Sequence, residues 1–223
     1  MDVVIVGAHG KIALELSRLL SARGDTIRGI IRNPDHAPEI EAAGAEPVVI
    51  DLEAEYAENE LAQAFRGTDA VVFAAGAGPG SSAERKLTVD LGGAVHSAAA
   101  ASRAEVRRFV IVSAMGVDEP PTDDDIFSIY LRAKADADHL VRSSGLDYTI
   151  VRPGRLTDDE PTGRVRAARH VDRGDIARAD VAAVLVAVLD DDRSIGRTFE
   201  VVAGEAQVVN AVAALSDQGA TLV

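Results

Sequence analysis

A tyrosine and a lysine stand four residues apart in the stretch IYLRAKADADHL, as Tyr130 and Lys134. On a helix, residues i and i+4 share one face. An isolated phenol, with a pKa of about 10, exchanges protons poorly near neutrality, and an adjacent ammonium favours its ionised form. The spacing therefore offers an acid–base pair, and Lys134 can also hold a ribose. Ser113 follows the apolar run RFVIV and brings a hydroxyl that can donate to a carbonyl oxygen as it gains charge. Tyr130 would then deliver the proton. With only three tyrosines in the chain, the pair seldom arises by chance. Each residue also has a plainer use. Tyr130 and Lys134 can be cofactor or packing contacts, and Ser113 can satisfy backbone groups at a strand end.

A second chemical feature lies in VVIVGAHGKIALELSRLL, from Val3 to Leu20. Gly7 ends an apolar β-forming run and Gly10 opens a helical pattern. Glycine takes positive φ without strain and lets a phosphate approach the backbone. A helix start offers unpaired N–H groups and partial positive charge, which suits a diphosphate. The pattern is G-x-x-G-x-x-A, with Ala13 allowing close helix–sheet packing; a tight turn with no ligand is the alternative. The expected cradle is Gly7, His9, Gly10, Lys11 and Ile12, where His9 and Lys11 add positive charge.

The next strand reads TIRGIIRNP and ends at Arg32. NAD sites usually place an acid there for the ribose hydroxyls, whereas NADP sites place an arginine nearby. A guanidinium grips phosphate bidentately, so Arg32 points to NADP in preference to NAD, unless it is simply an exposed loop arginine. Asp51 and Leu52 close the third strand, where the carboxylate can accept from an adenine amino group, cap a helix or face solvent. In AAGAGPG, residues Ala74, Ala75 and Gly76 let backbone pass close to a cofactor ribose. Pro153 and Gly154 form a turn after the sixth strand, at the nicotinamide end. Arg152 and Arg155 beside it can touch substrate or form salt bridges.

The elements needed to position these residues are legible in the pattern. Strands are expected at 2–6, 27–31, 46–50, 69–75, 107–113, 147–152 and 198–202, and helices at 10–23, 37–43, 57–66, 84–102, 126–143 and 178–190. Alternating strands and helices imply a parallel sheet covered on both faces. The strands read as continuous apolar runs, as double coverage requires. The expectation is an α/β fold, one doubly wound Rossmann-like domain over 1–223 with a mostly parallel sheet of about seven strands. The loops 114–125 and 153–175 follow strands on the ligand-binding edge and are the expected substrate side.

Composition removes several classes. A net charge of −13 argues against nucleic-acid binding. The absence of cysteine excludes disulfides and fits a reducing cytoplasm. The five histidines show no metal-ligand spacing. The longest apolar run, Val181 to Leu189, is too short for a membrane span, and because Met1 leads almost directly into a strand-like run no signal peptide is expected.

Taken in order, GAHGKIA, RNP, DL, VFAAGAG, VSAMG, YLRAK, SGLDYTIVRPGRLT and ADVAAVL resemble the atypical short-chain dehydrogenase/reductases, in particular the NmrA-like and biliverdin/flavin reductase groups. The resemblance spans nearly the whole chain. It implies a small C-terminal substrate portion, the glycine turn on the diphosphate, Arg32 near the 2′-phosphate, and Asp51–Leu52 on adenine. It places Ser113, Tyr130, Lys134 and the Pro153–Gly154 turn near the nicotinamide. Ala13 replaces the third glycine of many relatives, while the Tyr-x-x-x-Lys that many have lost is kept. The expected activity is hydride transfer between NADP(H) and a small carbonyl, quinone or flavin-like substrate, by a monomer. A non-catalytic NADP(H) sensor and a nucleotide-sugar epimerase are the alternatives. For the epimerase, the tail 203–223 looks too small to build the pocket.

Overall fold

Four hydrophobic residues in a row, Val3 to Val6, are buried on both sides of their strand, and this sets the architecture. The computed structural model describes residues 1–78 and 80–218. β1 (Asp2–Val6), β2 (Thr26–Ile31) and β3 (Glu46–Val49) alternate with α1 (Lys11–Ala22), α2 (Ala37–Ala42) and α3 (Ala57–Phe65). β4 (Ala70–Phe73) leads to a helical stretch of α4 (Ala83–Arg85), a π turn (Lys86–Gly92) and α5 (Gly93–Arg103). β5 (Arg108–Val112), α6 (Ile126–Ser143) and β6 (Asp147–Pro153) follow. The C-terminal part holds β7 (Arg155–Thr157), β8 (Arg164–Ala168), β9 (Asp175–Ala177), α7 (Arg178–Asp190), β10 (Arg197–Ala203), β11 (Ala206–Gln207) and α8 (Val208–Ala213).

Among the described residues the main sheet has nine strands, in the order β11-β8-β10-β6-β5-β4-β1-β2-β3. All seven strands expected from sequence are present and mutually parallel. Two apolar cores flank them. Leu16 and Leu20 of α1 meet Val181 and Leu185 of α7 on one face. Leu61 and Phe65 of α3, Ala94 and Ala98 of α5, and Ala137 and Val141 of α6 fill the other. Among the described residues, no helix is long and apolar enough to cross a membrane.

The structure corrects the sequence reading of 153–175 as a loop. That segment contributes β7, β8 and the first residue of β9. β8 pairs antiparallel with β10 and β11 at the sheet edge, which makes the sheet mixed. Its sequence RVRAA hid it, because a strand near the sheet edge with one solvated face tolerates arginines that a central strand would not. β7 and β9 form a separate two-stranded sheet. The expected helix 84–102 is real but passes through the π turn, a form often found at functional sites. The last five residues of the tail 203–223 lie outside the described residues.

Candidate functional site

Strand order reverses between β1 and β4, so their following loops part to opposite faces and leave a crevice. A cavity of about 620 Å³ occupies it, lined by Gly7, His9, Gly10 and Lys11 from the first turn, by Arg32 after β2, by Asp51 and Leu52 after β3, and by Ala74, Ala75 and Gly76 after β4. These ten expected cofactor residues are thus brought together at one edge. Ile12 is largely buried in the α1 core, so only its backbone can serve a ligand there.

Gly7 is required by the packing of the turn itself. Its φ is +82°, and a Cβ there would lie 2.5 Å from Ala75 Cα. The two ligand loops touch through this missing side chain. The Gly7 and Ala8 N–H groups both donate to the Ile30 carbonyl, at 3.1 and 3.0 Å, tying the turn to β2. Gly10 has an ordinary extended backbone and starts α1 with no side-chain cap and no acid in the first turn. Such an end leaves N–H donors for an anion.

The end of the cleft lined by Arg32 and Asp51 is charged. Arg32 Nη1 lies 3.3 Å from Glu53 Oε2, and Arg85 Nη2 lies 2.9 Å from the same oxygen. Asp51 accepts the Glu53 N–H at 3.1 Å, so in this structure it caps its own turn. The His9 and His36 rings stack with centroids 3.5 Å apart, and His9 Nε2 is 3.2 Å from Glu39. Sequence reading missed Arg85, Glu53 and His36. Glu53 directly follows the Asp51–Leu52 pair and could have been found there, whereas Arg85 comes to the cleft from α4, after the next strand.

α6 positions the tyrosine and lysine. Tyr130 is held over its ring by two ammoniums, Lys86 at 5.4 Å and Lys134 at 5.9 Å from the centroid. Lys134 is buried, donates to the Val112 carbonyl at 3.2 Å and lies 3.5 Å from Asp90 Oδ1. Asp90 Oδ2 in turn accepts the Ala77 N–H at 3.1 Å, and Lys86 donates to the Gly78 carbonyl at 2.8 Å. The π turn therefore links the Tyr130–Lys134 face to the loop that walls the cleft. Lys134 favours the ionised phenol, as its spacing suggested, but does not decide the net shift. Burial raises the Tyr130 pKa, Lys134 opposes this, and Asp90 and Asp138 add to the rise. Ser113 is buried with its hydroxyl turned to the Asp138 carboxylate, without a well-formed hydrogen bond. Burial also pushes the Asp138 carboxyl up, against the opposing charge of Arg152.

Asp125 anchors this helix. Its carboxylate caps α6 by accepting the Phe127 and Ser128 N–H groups at 2.7 and 3.1 Å. The Ser128 N–H and then Asp123 hold its pKa below the usual value. A depressed carboxylate contributes stability that is present above its unfolded pKa and lost as pH falls through the lower folded one. Asp125→Ala is expected to lower the melting temperature by about 2–4 °C at neutral pH. The gap to the parent should close in acid, below the ordinary aspartate range, and melts recorded across pH test this.

The Pro153–Gly154 turn joins β6 to β7. A Cβ on Gly154 would lie 2.2 Å from the Gly174 carbonyl oxygen, so this glycine serves the close packing of β7 against β9. Both nearby arginines form salt bridges: Arg152 with Asp138 at 2.9 Å and Asp118 at 2.8 Å, and Arg155 with Asp175. Lys11 pairs with Asp158 at 2.5 Å, and Arg178 reaches the same carboxylate at 2.6 Å. This strap ties the segment after β7 to the start of α1.

The residues present fit a dinucleotide. The uncapped helix end suits a diphosphate, and the buried Arg85 Nε–H meets no acceptor among the described residues, so a donor is in reserve at the charged end. Crevice, glycine turn and sheet order together define a protein of the NAD(P)-binding Rossmann class, the scaffold of the atypical short-chain dehydrogenase/reductases. A family model described as NAD(P)H-binding matches residues 7–192, and the chain belongs to that family. It is 37% identical over 213 residues to the uncharacterized sugar epimerase YhfK of Bacillus subtilis, covering 95% of this chain and 99% of the relative. A (4-alkanoyl-5-oxo-2,5-dihydrofuran-3-yl)methyl phosphate reductase of Streptomyces griseus is 30% identical, over 92% of this chain and 68% of its own. A solved Bacillus halodurans structure, described as an NAD-dependent epimerase/dehydratase, superposes with a TM-score of 0.89 at 38% identity, over 96% of this chain and all of the other.

Proposed function

We propose that this chain is an NADP(H)-dependent oxidoreductase acting on a small carbonyl, quinone or flavin-like molecule. NADP(H), when bound, supplies or takes up the hydride. The α1 end with Gly7 and Gly10 would hold the diphosphate, with Lys11 available once released from Asp158. Arg32 would take the 2′-phosphate, Asp51 and Leu52 the adenine, Ala74 to Gly76 the ribose, and Pro153–Gly154 would border the nicotinamide. Tyr130 keeps its proton through neutrality, because burial raises its pKa, and so acts as the donor to a substrate oxygen during reduction. Ser113 is the second donor, once its hydroxyl turns from Asp138. Lys134 keeps the phenol beside the cleft loop through Asp90. The observation that carries this reading is that coupling, from Tyr130 and Lys134 through the π turn to Ala77 and Gly78. The reductase named among the relatives supports it.

The epimerase reading has equal support from the relatives named as epimerases. A third reading, a binding-only sensor, is favoured by the commitment of Lys134 to Asp90 and the Val112 carbonyl. Consumption of NADPH across carbonyl, quinone and flavin panels separates the first reading from the other two. A reductase consumes NADPH; an epimerase returns hydride to its substrate and leaves the nucleotide level unchanged; a sensor binds without turnover. We read the chain as a cytoplasmic monomer, and a solution mass of two chains overturns the second half of that statement.

A thermal-shift titration with NADPH and NADH side by side tests the cofactor. Ligand at 100 times its dissociation constant is expected to add about 2.7 kcal/mol of stability. At equal concentration NADPH should stabilise more than NADH. A larger shift with NADH removes Arg32 from the proposed role.

A further inference from the structure

Glu53 sits where a cofactor phosphate would be wanted. Its Oε2 lies 2.9 Å from Arg85 Nη2 and 3.3 Å from Arg32 Nη1, and its Oε1 accepts the Thr88 hydroxyl at 2.6 Å. The two arginines arrive from different elements, one after β2 and one from α4, and both line the cleft together with Glu53. One carboxylate thus holds two guanidiniums at the mouth of a nucleotide-sized cavity. The Glu53 and Arg85 side chains are only 26% and 34% exposed, so their charges are partly shielded from water. The buried Arg85 Nε–H still meets no acceptor among the described residues. The two guanidiniums share one carboxylate, and Arg85 keeps an unused donor, which are features of a site awaiting an anion.

We propose that Glu53 is a built-in competitor of the cofactor 2′-phosphate for Arg32 and Arg85, and so sets the preference between NADPH and NADH. The inference rests on the cofactor reading above. Carboxylate and phosphate seek the same forked donors. A 2′-phosphate cannot take them without displacing Glu53 or lying against a like charge, and either lowers its affinity. NADH brings no 2′-phosphate, and its ribose hydroxyls can donate to Glu53. Glu53 therefore penalises NADPH selectively, narrowing a preference that the two arginines would otherwise make wide.

The test is calorimetric titration of the full chain with NADPH and NADH at fixed ionic strength, for the parent, Glu53→Gln, Arg85→Gln and the double variant. Glu53→Gln keeps the side-chain shape and removes its charge. It is expected to tighten NADPH binding about tenfold, a change of ~1.4 kcal/mol, and to leave NADH unchanged or weaker. Arg85→Gln should weaken NADPH alone, and in that background the gain from Glu53→Gln should shrink. Weaker NADPH binding in Glu53→Gln would mean that the carboxylate orients the arginines, and overturns the proposal. Equal tightening of both nucleotides, or a gain unaffected by Arg85→Gln, overturns it too. A parent that binds NADPH while Glu53→Gln leaves the nucleotide ratio unaltered removes this proposal and keeps the cofactor reading. A parent that binds neither nucleotide removes both.

Discussion

Replacing Tyr130 with phenylalanine is expected to lower turnover by about 100- to 10,000-fold, the usual range for a lost general acid, while the dissociation constant for NADPH stays the same. The substitution removes one oxygen. The ring keeps its neighbours, with Phe127 stacked at 5.9 Å and the Lys86 and Lys134 ammoniums over its face. Binding should survive because the phenol is not among the residues lining the nucleotide cleft. The pH profile carries a second prediction with a definite sign. Burial raises the phenol pKa, with Lys134 working against it and Asp90 and Asp138 adding to it. The proton donor is therefore fully loaded at neutral pH, and reduction should be flat through neutrality, declining only above the ordinary phenol range. Steady-state kinetics with the best substrate of the panel, read beside nucleotide binding, check both points. Unchanged turnover in the phenylalanine variant removes this tyrosine from the chemistry. It would then favour a flavin-type reduction, which needs little more than a stacking surface.

Gly7→Ala is the second large effect, and it concerns folding before catalysis. Alanine at φ +82° enters the left-handed region, at about 1–2 kcal/mol. Its Cβ would also lie 2.5 Å from Ala75 Cα and 2.7 Å from Ala75 N, and backbone atoms cannot swing aside as a long side chain would. Overpacking of this kind typically adds about 1–3 kcal/mol. The expected loss is about 3 kcal/mol, measured by urea unfolding, together with a sharp fall in nucleotide affinity as the two ligand loops part. Gly10→Ala is the control. Its backbone is already in a region open to any residue, and the nearest atom to a new Cβ is the Gly7 carbonyl oxygen at 3.2 Å. It should cost less than about 1 kcal/mol. Equal stability of Gly7→Ala and the parent would contradict the tight contact between the loops.

The central strands and their order of appearance were legible because burial on both faces forces continuous apolar runs, as in Val3 to Val6 and Phe109 to Val112. α6 is found at its expected bounds, 126–143, because Asp125 caps it and apolar residues recur along one face. The glycine turn could be read as well, since the backbone it builds admits few other residues. β8 could not be read, because a half-solvated strand near the sheet edge places no such demand on its side chains.

The amino-acid order by itself therefore determined the scaffold, the crevice and most of the residues that line it, all of which follow from local backbone conformation and hydrophobic period. Only the tertiary structure decided how charge is distributed around that crevice. It brought Arg85 and Glu53 to Arg32, set Asp90 between Lys134 and the Ala77 loop, and raised the phenol that spacing alone suggested would fall. The physical reason is that Coulomb forces and desolvation depend on distance and burial in space. Neither is written in the separation of residues along the chain.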